Sequence, residues 1–225
     1  ESAYLKSAGE LSLKRKAKSK SMATDIGKEL APLKRGRAEF IVHFEQTEHW
    51  GPHGMDDVSF RISTNPGTDP GPLNKVASGG ELARMMLAIK VILAKTSPVA
   101  TLIFDEVDTG IGGATAAAVG ERLVRVAMGK QVLVVTHAPQ VAACAGTHLH
   151  VKKFVSKDNL TRTSISPLDK QARLEEIARM LSGAEITPEA RAAANKLLDR
   201  KAAKTCHIWI KNDRPDTPAI NRYAH

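Results

Sequence analysis

Leu82, Met85, Met86, Ile89 and Leu93 fall at i, i+3, i+4, i+7 and i+11, the spacing of one helical face. A sparser stripe runs through the first thirty residues. Leu5, Ala8 and Leu11 recur at three-residue steps, and Met22, Ile26, Leu30 and Leu33 continue near helical spacing, which predicts a helix over residues 3–31. Residues 14–20, Lys-Arg-Lys-Ala-Lys-Ser-Lys, interrupt the stripe. So narrow an apolar face buries little by itself and fits the end of a coiled-coil arm packed on a partner helix. Pro32 and Gly36 punctuate its exit.

Elsewhere the period changes to two. Phe40, Val42 and Phe44 alternate with polar residues, as do Val58, Phe60 and Ile62, predicting two strands joined by a loop over 47–57. Val99 to Phe104 is a continuous apolar run, expected to be a strand buried on both faces. An alanine-rich helix is expected over 113–128, a second buried strand over 132–135 and a short helix over 139–145. His148–Val155 and Thr161–Ser166 flank Lys157-Asp158-Asn159 as an edge hairpin, with His148 and His150 expected to face solvent. Leu174–Leu181 reads as helix, stopped by Gly183, and Thr187-Pro188-Glu189 starts another that runs to about Arg200. The last residues show no evident periodicity and are read as disordered or unrelated to the rest. Alternation of buried strands and helices between 99 and 150 indicates a parallel α/β architecture, in which ligands sit beyond the carboxyl ends of the strands.

Charge sharpens this division. Residues 1–37 hold ten Lys/Arg against four Asp/Glu, residues 200–225 six against two, and residues 38–199 seventeen against eighteen. The basic character of the +9 chain therefore lies at its two ends. A basic end can attract a nucleic-acid backbone through counterion release; it can equally be a solvated helix face. The apolar runs are too short to span a bilayer, and the basic, polar N-terminus has no apolar signal region. Cys144 and Cys206 have neither metal-ligand spacing nor a disulfide framework, in keeping with a reducing cytoplasm.

Three motifs carry chemistry, in a fixed order. In Lys75-Val76-Ala77-Ser78-Gly79-Gly80-Glu81 a Gly-Gly turn opens a helix. Glycine admits close backbone approach, and amides at a helix N-terminus favour phosphate; in isolation Ser78-Gly79-Gly80-Glu81 reads first as a simple capped turn, and its place ahead of the Asp-Glu strand reverses that. Thr101-Leu102-Ile103-Phe104-Asp105-Glu106 is an apolar strand ending in two carboxylates, which are costly there unless used. Consecutive strand residues point oppositely, so one can hold Mg²⁺ through water while the other orients the water attacking a γ-phosphate. Alone, such a pair also serves as a cap. Val134-Val135-Thr136-His137 ends a strand in a histidine able to hydrogen-bond a phosphate oxygen. Asp108-Thr109-Gly110-Ile111-Gly112-Gly113 is a glycine-rich loop that could reach a partner subunit or simply join strand to helix. No G-x-x-x-x-G-K-[ST] phosphate loop occurs in the 225 residues.

The ordered set Ala77-Ser78-Gly79-Gly80-Glu81, Ile103-Phe104-Asp105-Glu106, Asp108-Thr109-Gly110 and Thr136-His137 resembles the ABC-type ATPase head: signature, Walker B, D-loop and switch histidine. Ile62 to Gly67, Thr136 to Ala142 and Glu176 to Gly183 narrow the resemblance to a bacterial DNA-repair branch related to the structural-maintenance-of-chromosomes proteins, over about residues 1–199. The resemblance implies an α/β C-terminal lobe of such a head over 38–199, the end of a coiled-coil arm over 1–37 and an unrelated tail over 200–225. It implies that Asp105 is the Mg²⁺ partner, Glu106 the catalytic base and His137 the γ-phosphate switch on their own head. Ser78, Gly79, Gly80, Glu81 and Asp108 would serve ATP sandwiched between two heads of a homodimer, with the Walker A lobe supplied from an N-terminal part. DNA is the implied partner, and a nucleoid-associated cytoplasmic location follows. The nucleotide-binding domain of an ABC transporter is disfavoured, because residues 1–74 read as an arm and two strands rather than a phosphate loop. A non-catalytic DNA or partner tether is disfavoured by the retained carboxylate pair.

Overall fold

The computed structural model describes residues 1–33, 38–63, 67–75, 79–94, 96–156, 158–183, 185–199 and 203–211, with backbone alone at 48, 49, 74 and 203–211. The chain divides into two compact units, residues 1–98 with 106–129, and residues 99–105 with 130–225.

In the first unit, α1 (Ser2–Leu30) leads through a tight turn at Ala31–Leu33 to the antiparallel strands β1 (Glu39–Gly51), β2 (Gly54–Ser63) and the short β3 (Gly71–Pro72). α2 (Gly79–Leu93) and α3 (Gly113–Ala127) complete it. The C-terminal part of the α1 stripe is fully buried: Ile26, Leu30 and Leu33 are at most 1% exposed, with Met85 and Leu87 of α2 and Val119 and Leu123 of α3 equally covered. Each such side chain contributes roughly 1.5–3 kcal/mol of burial. Glu29 of α1 bridges Arg122 Nε at 3.1 Å and Arg125 Nη1 at 2.8 Å on α3.

The expected loop over 47–57 is mostly strand. Only Pro52 and His53 separate β1 from β2, because the hairpin tip is braced on α1. Tyr4 donates to the Gly51 carbonyl at 3.1 Å and stacks on Trp50, while Ser12 and Arg15 reach the Asp56 carboxylate at 2.8 and 3.3 Å. Within the stretch that read as loop, Gly51, Gly54, Asp56 and Asp57 are paired strand, with an irregular register between Gln46 and Gly51.

The second unit is a five-stranded sheet in the order β4 (Thr101–Phe104), β5 (Gln131–Thr136), β8 (Ala203–Lys211), β6 (Ala145–Val155), β7 (Thr161–Pro167). β4, β5, β8 and β6 run parallel and β7 antiparallel. Three helices, α4 (Pro139–Ala142), α5 (Lys170–Ser182) and α6 (Pro188–Leu198), belong to it. α5 and α6 are capped by Asp169 and Thr187, whose side chains accept from the Ala172 and Ala190 amides; each cap contributes about 1 kcal/mol.

Three sequence expectations need correction. Among the described residues β4 lies at the edge of the sheet rather than buried on both faces, with Ile103 70% exposed. The tail is not structureless, since Ala203–Lys211 forms β8 between β5 and β6. The alternation of Cys206, Ile208 and Ile210 with polar or aromatic neighbours was the overlooked signal. Residues 200–202 and 212–225 lie outside the described residues. Finally, His148 is buried, at 1% exposure, because β6 is covered on the face that carries it. Its Nε2 hydrogen-bonds the Ala142 carbonyl. Burial, followed by the nearby Arg173 charge, lowers its pKa from 6.5 to about 4, partly opposed by that hydrogen bond.

Candidate functional site

In the first unit, Gly79 and Gly80 are the first two residues of α2, and Glu81 lies in its first turn. Ser78 lies outside the described residues. Gly79 is exposed and Gly80 buried. A Cβ on Gly79 would come within 3.2 Å of Glu106 Oε2, and one on Gly80 within 3.1 Å of the Thr109 carbonyl oxygen and Cβ. Gly79 thus faces the far end of a side chain and Gly80 the backbone of the loop, so it is at Gly80 that the close approach favours glycine. The Gly-Gly turn and the acidic loop, separated by more than twenty residues in sequence, meet here.

Glu106 is not a strand residue. β4 ends at Phe104, and Glu106 adopts a left-handed backbone with φ of 56°. Such a conformation costs a non-glycine residue roughly 1 kcal/mol. The turn is closed by the Thr109 amide, which donates to the Glu106 carbonyl at 3.1 Å. Asp105 and Glu106 are both exposed and both lie past the end of β4, so the pleat alternation of consecutive strand residues does not apply to them. Asp108, two residues on, is 2% exposed.

In the second unit, β4 and β5 are parallel neighbours with Phe104 opposite Val134. Asp105 follows the first and His137 the second, so both stand at carboxyl ends of adjacent parallel strands, and both are exposed. The Thr136 hydroxyl accepts from the Ala138 amide at 3.1 Å and shapes the turn that carries His137. No group of three or more His, Cys, Asp or Glu gathers as a metal site among the described residues. A single exposed carboxylate fits Mg²⁺, which keeps most of its water and takes one or two carboxylates together with phosphate oxygens.

No family model matches the chain. Individual proteins do. The DNA repair protein RecN of Xylella fastidiosa Temecula1 is 46% identical over 197 residues, 87% of this chain and 35% of that protein. RecN of Bacillus subtilis 168 is 42% identical over 206 residues, 85% and 36%. This chain is a relative of RecN. It spans about a third of the length of the RecN proteins it matches. The crystallised Smc head domain with a coiled coil and joint from Pyrococcus yayanosii superposes with a TM-score of 0.52 at 18% identity, over 72% of this chain and 29% of that one. That likeness shows the fold alone: an α/β fold like that of the Smc head domain.

Within this RecN-related segment the sequence reading missed Arg84. It lies four residues after Gly80 and four before Ala88, on a buried side of α2, and is 6% exposed. An arginine flanked at helical spacing by the small residues Gly80 and Ala88, on the buried side of a largely apolar helix, was the signal available. Among the described residues no helix is long and apolar enough to cross a membrane.

Proposed function

We propose that this chain is the signature- and carboxylate-bearing lobe of a DNA double-strand-break repair and recombination ATPase of the RecN type. The reading is that ATP and Mg²⁺ lie between two dimerised heads that engage DNA. The observation that carries it is exposed Asp105 after β4, with exposed His137 after the neighbouring parallel strand β5.

In this reading the Asp105 carboxylate holds a water of the metal's shell. Glu106 would accept, at a carboxylate oxygen, a proton from the water that attacks the γ-phosphorus as its bond to the β–γ bridging oxygen breaks and ADP leaves. His137 hydrogen-bonds a γ-phosphate oxygen. Gly79 and Gly80 present the amides and positive end of α2 to a phosphate held by the opposite head, with Ser78, Glu81 and Asp108 around it. Bound Mg²⁺ would neutralise charge on the triphosphate oxygens. The triphosphate cradle comes from a Walker A lobe outside these 225 residues.

Titration calorimetry on this chain with Mg·ATP is the direct check. Binding too weak to measure at millimolar nucleotide is expected. Micromolar binding would mean that the chain holds its own phosphate cradle, against the proposal.

A further inference from the structure

A buried guanidinium cannot shed its proton and must find acceptors. Arg84 finds them in the loop that follows Glu106. Its Nη1 donates to the Thr109 carbonyl at 2.9 Å and, at the long distance of 3.4 Å, to the Val107 carbonyl. The Cβ position of Gly80 lies 3.2 Å from this same Nη1, so the glycine leaves the room through which the guanidinium reaches the loop. Thr109 in turn donates its amide to the Glu106 carbonyl at 3.1 Å. Ile111 repeats the pattern on Asp108 at 3.3 Å.

These contacts form one connected set. α2 carries at its first residue the glycine against which the Glu106 carboxylate rests. One turn later it carries the arginine that grips the carbonyls beyond Glu106. Between these holds sits the left-handed Glu106, a conformation that relaxes unless its surroundings fix it. We propose that Arg84 is a positioning residue for Glu106, clamping the Val107 and Thr109 carbonyls so that the carboxylate keeps its place over the first turn of α2. The proposal rests on the reading of Glu106 as the group that activates water. Arg84 touches no reacting atom; it acts through the backbone of the loop.

The test has two arms. In this chain, amide hydrogen exchange is compared between wild type, Arg84→Met and Arg84→Lys. Exchange at Thr109 and Ile111 should rise about 10-fold or more in Arg84→Met, with the interior α3 amides of Val119 and Leu123 unchanged. Unchanged exchange at Thr109, or an equal rise at Val119 and Leu123, overturns the clamp. In the complete ATPase, Arg84→Met should lower kcat by roughly 10- to 100-fold, the scale of a misplaced catalytic group, with KM within about 3-fold. Arg84→Lys should recover part of the loss. On a Glu106→Gln background Arg84→Met should lower the residual turnover no further. A loss that multiplies with that of Glu106→Gln overturns the proposal, because Arg84 would then act elsewhere. Unchanged turnover in Glu106→Gln alone removes the base reading instead, and the exchange arm still decides whether the clamp exists.

Discussion

Gly79 and Gly80 are adjacent in sequence, yet alanine should affect them in opposite directions. At Gly80 the new Cβ would stand 3.1 Å from the Thr109 carbonyl oxygen and Cβ and 3.2 Å from Arg84 Nη1. Relief to ordinary contact moves the loop backbone by a few tenths of an ångström, away from the guanidinium it is bonded to. Overpacking of this kind costs about 1–3 kcal/mol. Weakening a hydrogen bond to a charged donor adds about 1 kcal/mol. Against this stands about 0.4–1 kcal/mol gained by stiffening the unfolded chain. Gly80→Ala should therefore lose about 1–3 kcal/mol. At Gly79 the neighbour is Glu106 Oε2, the far end of an exposed side chain that can swing aside. Gly79→Ala should be neutral or gain up to about 1 kcal/mol. Urea unfolding of this chain, followed by circular dichroism, separates the two: the midpoints should differ by roughly 1 M. If Gly80→Ala is as stable as wild type, or Gly79→Ala is the less stable of the pair, the close approach of the loop to α2 is not as described.

Two further outcomes follow from buried charge. His148 titrates at about 4 in the folded chain against an ordinary 6.5, so the unfolded chain takes up its proton first as pH falls. Its contribution is complete above about pH 6.5 and is lost between there and about 4, on the order of 3 kcal/mol in all. Unfolding free energies at pH 7 and 4.5 should converge in His148→Asn relative to wild type, and an equal acid loss in both would exclude His148 as the source. Glu29 is 9% exposed and faces Arg122 and Arg125. Glu29→Gln leaves the mostly buried Arg122 without its counter-charge and should destabilise by roughly 2–4 kcal/mol in the same assay, whereas a loss under about 0.5 kcal/mol would mark the pair as a surface-type contact.

Much of this was legible in the chain. The periods of α1, α2, α3 and β5, the Thr187-Pro188 helix start and the β6–β7 hairpin follow from local patterns that the tertiary structure leaves intact. Asp105 and His137 fell at strand ends because parallel strands need apolar runs and release polar residues only where they stop. What escaped depends on neighbours distant in sequence. The hairpin tip is strand only because Tyr4 and Ser12 of α1 meet it. The apolar run of β4 says nothing about its place at the sheet edge. The left-handed turn at Glu106 is the clearest case. Pleat alternation gave a plausible reason for two carboxylate roles, but Glu106 lies past the end of β4 in a left-handed turn that the Thr109 amide closes.

The proposed function makes Glu106 the group that activates water. Single-turnover hydrolysis of bound ATP by the complete protein carrying Glu106→Gln tests it. Bound nucleotide should be retained while the rate of hydrolysis falls by about 100-fold or more, in line with loss of a general base; hydrolysis at the wild-type rate would contradict the account.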